Sequence, residues 1–398
     1  MTDHHTDIVI VGGGLVGMTF ACLMADANHR IVLLDRCHAP DPMPTATMGR
    51  VHAYNIASQH LLQSLDVWSR IPQIACAPFQ RMQVTALGQR PELTITAKDI
   101  AYPHLGHFIP SDVVRAALYE ALKIRPNVHC IWQDTPIGLH NQHDGIILES
   151  RQHRVHAKIL VGADGGRSWV RSQTPIRFRT HAYHQRCMVG YVDFEGDHQQ
   201  TAWQRFLPTG PIGLLPLNQN RFSLAWSLDD KLAKTYQKLD DGAFLKLVFA
   251  QKLPPSIHAL TQISQRKDFP LLALHAHQYA HDRTVLIGDA AHAIHPLAGL
   301  GLNLGLRDAQ TLAVALQRHG MHHFRDAFDT YAQQRRPQNA VFMHGMTAFN
   351  SIFRHTNHLS QALQNLALTT PKYLPWLKRA LGLYATHLDS DEIWCKTR

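Results

Sequence analysis

The sequence has few cysteines, and nothing in their spacing suggests that they are paired. Six cysteines occur among 398 residues, and none forms a C-x-x-C pair. Although the chain has 29 histidines, no cysteine–histidine cluster has the spacing of a zinc site. These absences exclude a disulfide-rich scaffold and a zinc-finger domain, so we expect free thiols in a reducing compartment and no metal.

Long apolar runs are also missing from the sequence. No stretch approaches the roughly 20 apolar residues that a membrane-spanning helix needs. The beginning of the sequence, M-T-D-H-H-T-D, is polar and leads directly into a strand, so no secretory signal peptide is expected. We therefore expect a cytoplasmic protein.

The charge is moderately basic but not concentrated anywhere. Lys and Arg number 39 against 30 Asp and Glu, a net charge of +9. The absence of a basic block and of a nucleic-acid motif argues against DNA or RNA as a partner. Attraction to an anionic cofactor or to a membrane surface remains open. With 45% hydrophobic residues the chain is globular, and its length predicts about two domains.

A dinucleotide-binding fingerprint occupies the first part of the chain. The apolar strand D-I-V-I-V is followed by G-G-G-L-V-G-M, which places Gly12, Gly14 and Gly17 in the G-x-G-x-x-G register. A helix is predicted over residues 15–27, and the next strand ends at Asp35. All parts of the fingerprint therefore occur in the order that a dinucleotide site requires.

Each part of the fingerprint has a physical reason. Gly12 permits the tight turn, Gly14 lets the backbone approach a pyrophosphate, and Gly17 allows the helix to pack closely on the strand. The helix N-terminus directs free N–H groups at the phosphates, and Asp35 can accept hydrogen bonds from a ribose. We predict that these residues and the adjacent Arg36 bind the cofactor.

Two further strands end at an acid–glycine break. The sequence I-L-V-G-A-D-G-G-R-S-W-V-R contains Asp164 and Arg171, and V-L-I-G-D-A-A-H contains Gly288 and Asp289. In an open α/β sheet the loops after parallel strands gather at one edge. We therefore expect these loops to join the glycine loop in one site, with Arg50 contacting an anion from the end of a proline-containing loop.

The region between these motifs has a different character. Residues 188–266 contain short strands that carry Trp203, Phe206, Phe222 and Trp226, which predicts a mostly antiparallel sheet over a pocket for an apolar or aromatic ligand. Most of these aromatic side chains are expected to fill the core of the sheet.

The predicted fold class is α/β, with a Rossmann-like dinucleotide-binding domain interrupted by a β-sheet substrate domain and followed by C-terminal helices. The expected boundaries are 1–75, 109–180 and 271–335 for the nucleotide domain, 76–108 and 181–270 for the β-rich domain, and 336–398 for the helices. Ser111 is the expected N-cap of a helix over residues 111–122.

Two helices are predicted after the third motif, over residues 324–353 and 372–387. In the second helix an apolar face is flanked by Lys378 and Arg379. Such a face usually docks on the protein itself, and a membrane surface is the alternative.

Taken together, the motifs resemble a known family. The elements G-G-G-L-V-G with Asp35, G-A-D-G-G-R-S-W-V-R and I-G-D-A-A-H-A-I-H-P-L-A-G-L-G-L-N-L-G-L-R-D occur in the order and spacing of class A flavoprotein aromatic monooxygenases, the para-hydroxybenzoate hydroxylase fold. The third element resembles most closely the ubiquinone-biosynthesis hydroxylases. Similarity also lies in R-V-H-A-Y-N-I-A-S-Q-H-L-L-Q-S-L-D-V-W and G-P-I-G-L-L-P-L, so it covers essentially the whole chain.

The resemblance implies roles for the matching residues. Non-covalent FAD would be bound by residues from all three motifs and from the first loop: Gly12, Gly14, Gly17, Asp35, Arg36, Arg50, Asp164, Arg171, Gly288, Asp289, Leu302 and Asn303. The reacting centre would involve the loop under the isoalloxazine and one imidazole: His292, Pro296, Gly299, Gly301 and Asn303. A helix that begins after Gly301 would direct its N–H groups at the reduced flavin.

The histidines near the third motif have two interpretations. His292 or His295 could assist proton transfer. In a chain with so many histidines, a structural or solvent-facing role is the favoured interpretation.

The resemblance also implies a chemistry. NAD(P)H, bound transiently, would reduce FAD, and O2 would form a C4a-hydroperoxyflavin that hydroxylates a phenolic ring. The implied substrate is a polyprenylated phenol drawn from a membrane, which suggests peripheral membrane contact, a ubiquinone-biosynthesis complex and an oligomer as associations.

Alternatives and departures remain. A hydroxylase of a soluble aromatic acid would need an arginine such as Arg205 or Arg221 facing the carboxylate. A flavoprotein dehydrogenase or reductase and a non-catalytic, FAD-stabilised scaffold are the more distant alternatives. Leu300 stands where the family usually has Gln, and we expect this departure to be tolerated. Ser111 stands where many relatives have Asn.

Overall fold

The computed structural model describes residues 1–44, 50–86, 92–294, 300–354, 364, 367–371 and 374. Their strands are β1 (Thr2–His5), β2 (Ile8–Val11), β3 (Ile31–Asp35), β4 (Val51–Asn55), β5 (Ala77–Phe79), β6 (Arg81–Ala86), β7 (Glu92–Thr96), β8 (Gly106–Pro110), β9 (Val128–Trp132), β10 (Pro136–Asn141), β11 (Ile146–Ser150), β12 (His153–Ala157), β13 (Ile159–Gly162), β14 (Phe178–Gly196), β15 (Thr201–Phe206), β16 (Ile212–Leu217), β17 (Arg221–Asp229), β18 (Ile257–Ile263), β19 (Lys267–Ala276), β20 (Ala280–His281), β21 (Thr284–Leu286) and β22 (His292–Ala293). The α-helices are α1 (Leu15–Asp26), α2 (Ile56–Ser64), α3 (Ser111–Lys123), α4 (Trp169–Ser172), α5 (Asp230–Gln237), α6 (Asp241–Phe249), α7 (Leu300–His319) and α8 (Phe324–Arg354).

A six-stranded sheet brings the cofactor motifs together. Its order is β20-β21-β13-β2-β3-β9, and all neighbours are parallel except the β20–β21 pair. The strands β2, β13 and β21 are buried along their whole length, as apolar runs in a parallel sheet should be. Because β2, β13 and β21 are neighbours, the loops after them lie side by side.

Helices α1, α3 and α7 cover this sheet and form the largest core. Met18, Leu118 and Leu312 are fully buried in one cluster with the sheet strands. In α3 the buried residues form one face at intervals of three or four, whereas α1 is buried on most of its surface.

A nine-stranded, mostly antiparallel sheet forms the second half of the molecule. Its order is β22-β19-β14-β17-β16-β15-β6-β7, with β18 paired to β14. One face packs on α5 and α6 through a core that includes Met188, Leu224, Trp226 and Phe244. The other face, on which alternate residues point the opposite way, is free to line a cavity. The predicted fold class is confirmed.

Two smaller sheets complete the architecture. β4, β8 and β5 form an antiparallel sheet beside the cavity face, and β1, β12, β11 and β10 form a peripheral sheet. Strand β1 was not predicted, because its polar sequence has no strand-like alternation. It pairs in parallel with β12.

Several local predictions need correction. Ser111 is the first residue of α3 rather than its N-cap; Pro110 holds that position, and no side chain caps the helix. Helix α5 was missed, because its mostly polar sequence resembles a loop. The helix predicted over residues 372–387 lies almost wholly outside the described residues.

Other local predictions agree with the structure. Helix α1 spans Leu15–Asp26, one residue shorter than the predicted range. Helix α8 spans nearly the predicted range and continues through Pro337. A proline removes one helical hydrogen bond, so packing of α8 on both sheets must offset that loss.

Candidate flavin site and adjoining cavity

The glycine loop after β2 is tightly packed against the loop after β13. A Cβ atom built on Gly12, which has φ of +116°, would lie 2.3 Å from the carbonyl oxygen of Ala163. A Cβ built on Gly17 would lie 2.0 Å from the carbonyl oxygen of Gly12. Both positions therefore require glycine, one for the turn and one for the contact between α1 and the strand.

Gly14 differs from its two partners because it borders open space. Among the described residues, a Cβ at Gly14 would meet nothing within 4 Å. Gly14 is the N-cap of α1, and no side chain caps this helix, so the first N–H groups of α1 remain available to a ligand. An open, uncapped helix N-terminus is the environment that a pyrophosphate prefers.

Asp35 lies beside this helix N-terminus. One carboxylate oxygen accepts a hydrogen bond from the Gly13 N–H at 2.5 Å, and the other accepts one from the Cys37 N–H at 2.7 Å. These bonds hold the carboxylate against the glycine loop and leave lone pairs on both oxygens for a ribose. Arg36 is exposed next to it.

Asp164 and Arg171 hold the second loop. The Asp164 carboxylate accepts a hydrogen bond from the Val170 N–H at 3.0 Å, and its other oxygen is buried without a hydrogen-bond partner. Burial raises the pKa of this carboxyl, although the hydrogen bonds around it oppose the shift. A buried oxygen without a donor is rare in folded proteins, so Asp164 Oδ1 fits a donor on a bound ligand.

Arg171 joins the second loop to the third. Its guanidinium donates to the carbonyl oxygen of Ala290 at 2.7 Å and to that of Gly166 at 2.9 Å. Arg171 is buried, and its Cζ lies 4.6 Å from the centroid of the Phe178 ring. Arg171 therefore connects the loops after β13 and β21 and stabilises their relative positions.

The third loop presents Asp289 to solvent. Gly288 is buried with φ of +59°, whereas the Asp289 side chain is exposed. The surrounding protein raises the pKa of the Asp289 carboxyl, while His292 and Arg50 oppose this shift. Asp289 thus lies in a recess that is open enough to admit a ligand.

The residues at the start of α7 are only partly within the described structure. His295, Pro296 and Gly299 lie outside the described residues. Of the described residues outside its own helix, Ile294 is the one within 4 Å of a Cβ built on Gly301, at 3.7 Å. Leu302 is half-buried and packs on the core around the six-stranded sheet.

The Asn303 side chain connects α7 to β4. Its Oδ1 accepts hydrogen bonds from the Asn55 N–H at 3.1 Å and from the Ser58 hydroxyl at 2.7 Å, and its Nδ2 donates to the Ala53 carbonyl at 2.8 Å. The amide therefore holds β4 and the start of α2 against α7.

His292 is buried rather than facing solvent. Its Nε2 lies 2.5 Å from the carboxylate of Asp308, and its ring stacks on Tyr279 with centroids 5.9 Å apart. Sequence reasoning assigned no role to Asp308. An acid on the buried side of an amphipathic helix was the available signal, because such an acid requires partners.

Arg50 lies where the cofactor site meets the β-rich half. Its guanidinium carbon lies 3.8 Å from the centroid of the Phe269 ring on β19, a cation–π contact. The side chain is exposed and lines the cavity described next. It is therefore available to an anionic group.

A cavity of about 540 Å³ lies between the nine-stranded sheet and the small β4-β8-β5 sheet. Most of its wall is apolar, including Phe79, Phe108, Val189 and Leu215. Its volume is within the range of small-molecule sites, roughly 300–1,000 Å³. As the sequence indicated, the β-rich sheet covers a pocket suited to an apolar or aromatic ligand.

Most of the aromatic residues of this sheet fill its core. Trp203, Phe222 and Trp226 belong to the cluster beneath α5 and α6, and Trp203 also borders the cavity. Phe206 packs on Phe353 of α8, with ring centroids 4.3 Å apart.

Among the polar residues of the cavity wall, His52 is the most unusual. Burial, followed by the charge of Arg50, lowers the pKa of its imidazole to about 4. The ring is half-buried, and within the described part of the chain it makes no hydrogen bond. It is a neutral hydrogen-bonding group open to the cavity.

The arrangement fits FAD. The glycine cradle at Gly14, the carboxylate of Asp35, the unpartnered Asp164 oxygen and the recess at Asp289 lie along one sheet edge, which ends at the cavity. An extended dinucleotide can follow this edge from the helix N-terminus to the β-rich sheet. Among the described residues, no group of three or more His, Cys, Asp or Glu side chains could hold a metal ion.

Comparison with known proteins agrees with this geometry. The family model described as FAD binding domain matches residues 5–344. The 3-demethoxyubiquinol 3-hydroxylase of Escherichia coli is 32% identical, over 98% of this chain and 100% of its own length. The ubiquinone hydroxylase UbiL of Rhodospirillum rubrum is 32% identical, over 86% of this chain and 80% of its own.

Solved structures share the fold. The p-nitrophenol 4-monooxygenase PnpA of Pseudomonas putida superposes with a TM-score of 0.77 at 20% identity, covering 96% of this chain and 98% of that one. At this level of identity the similarity concerns the fold alone.

Substitution of Gly14 tests the position of the pyrophosphate. Gly14→Val should weaken FAD binding at least tenfold, because the new side chain would occupy the space at the α1 N-terminus. The apo protein should unfold within a few degrees of wild type, since a poorer N-cap costs only about 1 kcal/mol. Fluorescence titration with FAD measures the affinity.

Gly345→Val on α8 is the matched control, because a Cβ there also meets nothing within 4 Å. It should leave the FAD affinity unchanged. Wild-type FAD affinity in Gly14→Val would contradict the assignment.

Proposed function

Because the chain belongs to the FAD-binding domain family, among the flavin-dependent hydroxylases of ubiquinone biosynthesis, we propose that it hydroxylates the aromatic ring of a polyprenylated phenol. It is a FAD-dependent aromatic monooxygenase, for which NAD(P)H and O2 are the co-substrates. The observation that carries the substrate proposal is the largely apolar cavity that adjoins the flavin site.

In this proposal the site residues bind different parts of the cofactor. Gly12, Gly14 and Asp35 hold the adenosine and pyrophosphate, and Asp164 and Asp289 hold the remainder of the cofactor. Bound flavin supplies the redox chemistry with NAD(P)H and O2. The protein binds the two reactants and orients the ring toward the flavin.

The apolar wall contributes by excluding water. Oxygen transfer by a flavin competes with loss of the oxygen as hydrogen peroxide, and a dry site suppresses that loss. Phe79, Phe108 and Val189 supply such surface around the expected ring position. The size of the cavity suits an aromatic ring and a short part of its tail, so the rest of a long tail must extend beyond it.

Neither arginine considered for a substrate carboxylate lines the cavity. Arg221 is already paired with Asp193, through bonds of 2.5 and 2.9 Å. Arg205 is buried, and neither Arg205 nor Arg221 is among the described residues that line the cavity. The basic side chains that do line it are Arg50 and Lys267.

A peripheral membrane location is part of the proposal. No helix among the described residues is long and apolar enough to span a bilayer. A prenylated substrate nevertheless partitions into membranes, and the net charge of +9 favours an anionic surface. The amphipathic pattern over residues 372–387 supplies an apolar face for docking, and association with other ubiquinone-biosynthesis proteins would serve the same purpose.

Deletion of the gene tests the pathway assignment. The deletion strain should accumulate a quinone precursor that lacks one ring hydroxyl, which mass spectrometry of lipid extracts can identify. Complementation with the wild-type gene should restore the quinone, whereas the Gly14→Val gene should restore it poorly. An unchanged quinone pool in the deletion strain would contradict the assignment.

Replacement of His52 tests how the cavity receives the phenol. The neutral imidazole can accept a hydrogen bond from the phenolic hydroxyl, so His52→Phe should lower kcat/KM about 10- to 100-fold, the effect of an unmet buried hydrogen bond of about 1–3 kcal/mol. Because the pKa of His52 is lowered to about 4, the imidazole stays neutral above pH 5. The ratio of wild-type to variant kcat/KM should therefore be constant from about pH 6 to 8.

His143→Phe, at an exposed position, is the control and should leave kcat/KM unchanged. Equal kcat/KM in wild type and His52→Phe, for a substrate that both turn over, would show that the phenol binds elsewhere in the cavity.

Sedimentation with liposomes tests the membrane proposal. The protein should pellet with anionic vesicles, and salt should release it, because the attraction is electrostatic. A variant truncated after residue 371 should pellet less. Full recovery of the protein in the supernatant at low salt would contradict membrane docking.

A further inference from the structure

We propose that Asp308 is a positioning residue for the flavin site: it holds the turn that presents Asp289, and Arg335 of α8 holds Asp308 in turn. The proposal concerns FAD binding, so it rests on the flavin assignment of the proposed function but not on the identity of the substrate.

Asp308 accepts hydrogen bonds from two separate parts of the chain. Its Oδ2 accepts from the Gly288 N–H at 3.1 Å and lies 2.5 Å from His292 Nε2. Its Oδ1 accepts from Arg335 Nε at 2.8 Å and from Asn339 Nδ2 at 3.2 Å. One oxygen therefore contacts Gly288 and His292 in the segment after β21, here called the flavin loop. The other oxygen binds α8.

The network is closed to water, so each of its charges must be balanced by a partner within the protein. The side chain of Asp308 is 0% exposed and that of Arg335 is 2% exposed. The nearby His292 and Arg335 hold the pKa of the Asp308 carboxyl well below its usual range, despite its burial. A buried carboxylate and guanidinium stabilise each other only while both are present, because water cannot replace a missing partner.

The turn that Asp308 holds is the one that directs Asp289. Gly288 has φ of +59°, and its carbonyl oxygen accepts the Ala291 N–H at 2.9 Å. Within the described part of the chain, the Asp289 carboxyl accepts no hydrogen bond. Its position therefore depends on its backbone, which Asp308 holds at Gly288 and Arg171 holds at Ala290.

Helix α8 makes a second connection to the same region. The Tyr331 hydroxyl donates to the Leu286 carbonyl at 2.9 Å, one turn of helix before Arg335. Arg335 also donates to Asn339 Oδ1 at 3.0 Å, which orients that amide toward Asp308. The flavin loop is thus braced by a helix whose far end packs on the β-rich sheet through Phe353.

The test is an FAD titration of Asp308→Asn. This variant retains the shape of the side chain but loses the charge, and one of its two acceptor oxygens becomes an NH2 donor. The donors on Gly288 and His292 and those on Arg335 can then no longer all be accepted. The FAD dissociation constant should rise at least tenfold. At saturating FAD, the visible circular dichroism of the bound flavin should differ from that of wild type, because Asp289 would be displaced.

Asp7→Asn is the matched control. The Asp7 side chain is also mostly buried, at 13% exposed; it accepts the Arg30 N–H at 3.0 Å and pairs with Lys158 at 2.9 Å. It lies before β2, at the end of the six-stranded sheet opposite to the flavin loop. Its replacement should lower the Tm of the apo protein yet leave the FAD affinity and the flavin spectrum unchanged.

Arg335→Lys keeps the proposal testable if Asp308→Asn fails to fold. Lysine preserves the positive charge but loses the guanidinium bonds, so FAD affinity should fall by an intermediate factor. A wild-type FAD dissociation constant, within twofold, and a wild-type flavin spectrum in a folded variant would overturn the proposal and leave Asp308 with a purely structural role. Since the titration needs no substrate, a protein that binds FAD but forms no product would overturn the proposed function without altering this comparison.

Discussion

The close contact between the glycine loop after β2 and the loop after β13 is the constraint on which the rest of the site depends. The Gly12 backbone approaches the Ala163 carbonyl so closely that no side chain fits between them. This contact requires β2 and β13 to be parallel neighbours, and β21 then adds Asp289 on the same edge. Three motifs that are far apart in sequence become one binding edge through the register of a single sheet.

The pocket in the β-rich half arises from the alternation of side chains along the strands. Because side chains alternate across a strand, one sheet buries Met188, Leu224 and Trp226 under α5 and α6 while its other face remains available to a ligand. Arg50, stacked on Phe269, lies at the junction of this wall with the flavin edge.

The sequence predicted those parts of the site that depend on local chemistry. Gly12, Gly17 and Asp289 belong to short patterns in which the residue type itself is required by the turn, so their placement at one edge followed from strand order. The environments of the aromatic residues did not follow, since Trp203 and Trp226 pack in the core beneath α5 and α6 whereas Phe206 packs on Phe353 of α8. Ser111 was misplaced because a serine before an apolar helix usually caps it, whereas here Pro110 begins the turn.

Asp308 and His52 show why the rest of the site could not be predicted from the sequence. The acceptor role of Asp308 depends on Arg335 and Asn339, which lie on another helix, and on a turn twenty residues earlier. The neutrality of His52 depends on burial between two sheets. Such long-range environments arise only when the fold is complete, and no spacing rule encodes them.

The central claim is that this chain transfers oxygen from O2 to a phenolic ring held beside FAD. The most direct test combines the purified protein with FAD, NAD(P)H, a short-tailed prenylated phenol and isotopically labelled O2, followed by mass spectrometry of the product. The account predicts a hydroxylated product that carries a single labelled oxygen atom, formed in proportion to the NAD(P)H oxidised. Oxidation of NAD(P)H that yields only hydrogen peroxide, or that consumes no O2, with the phenol bound would contradict it.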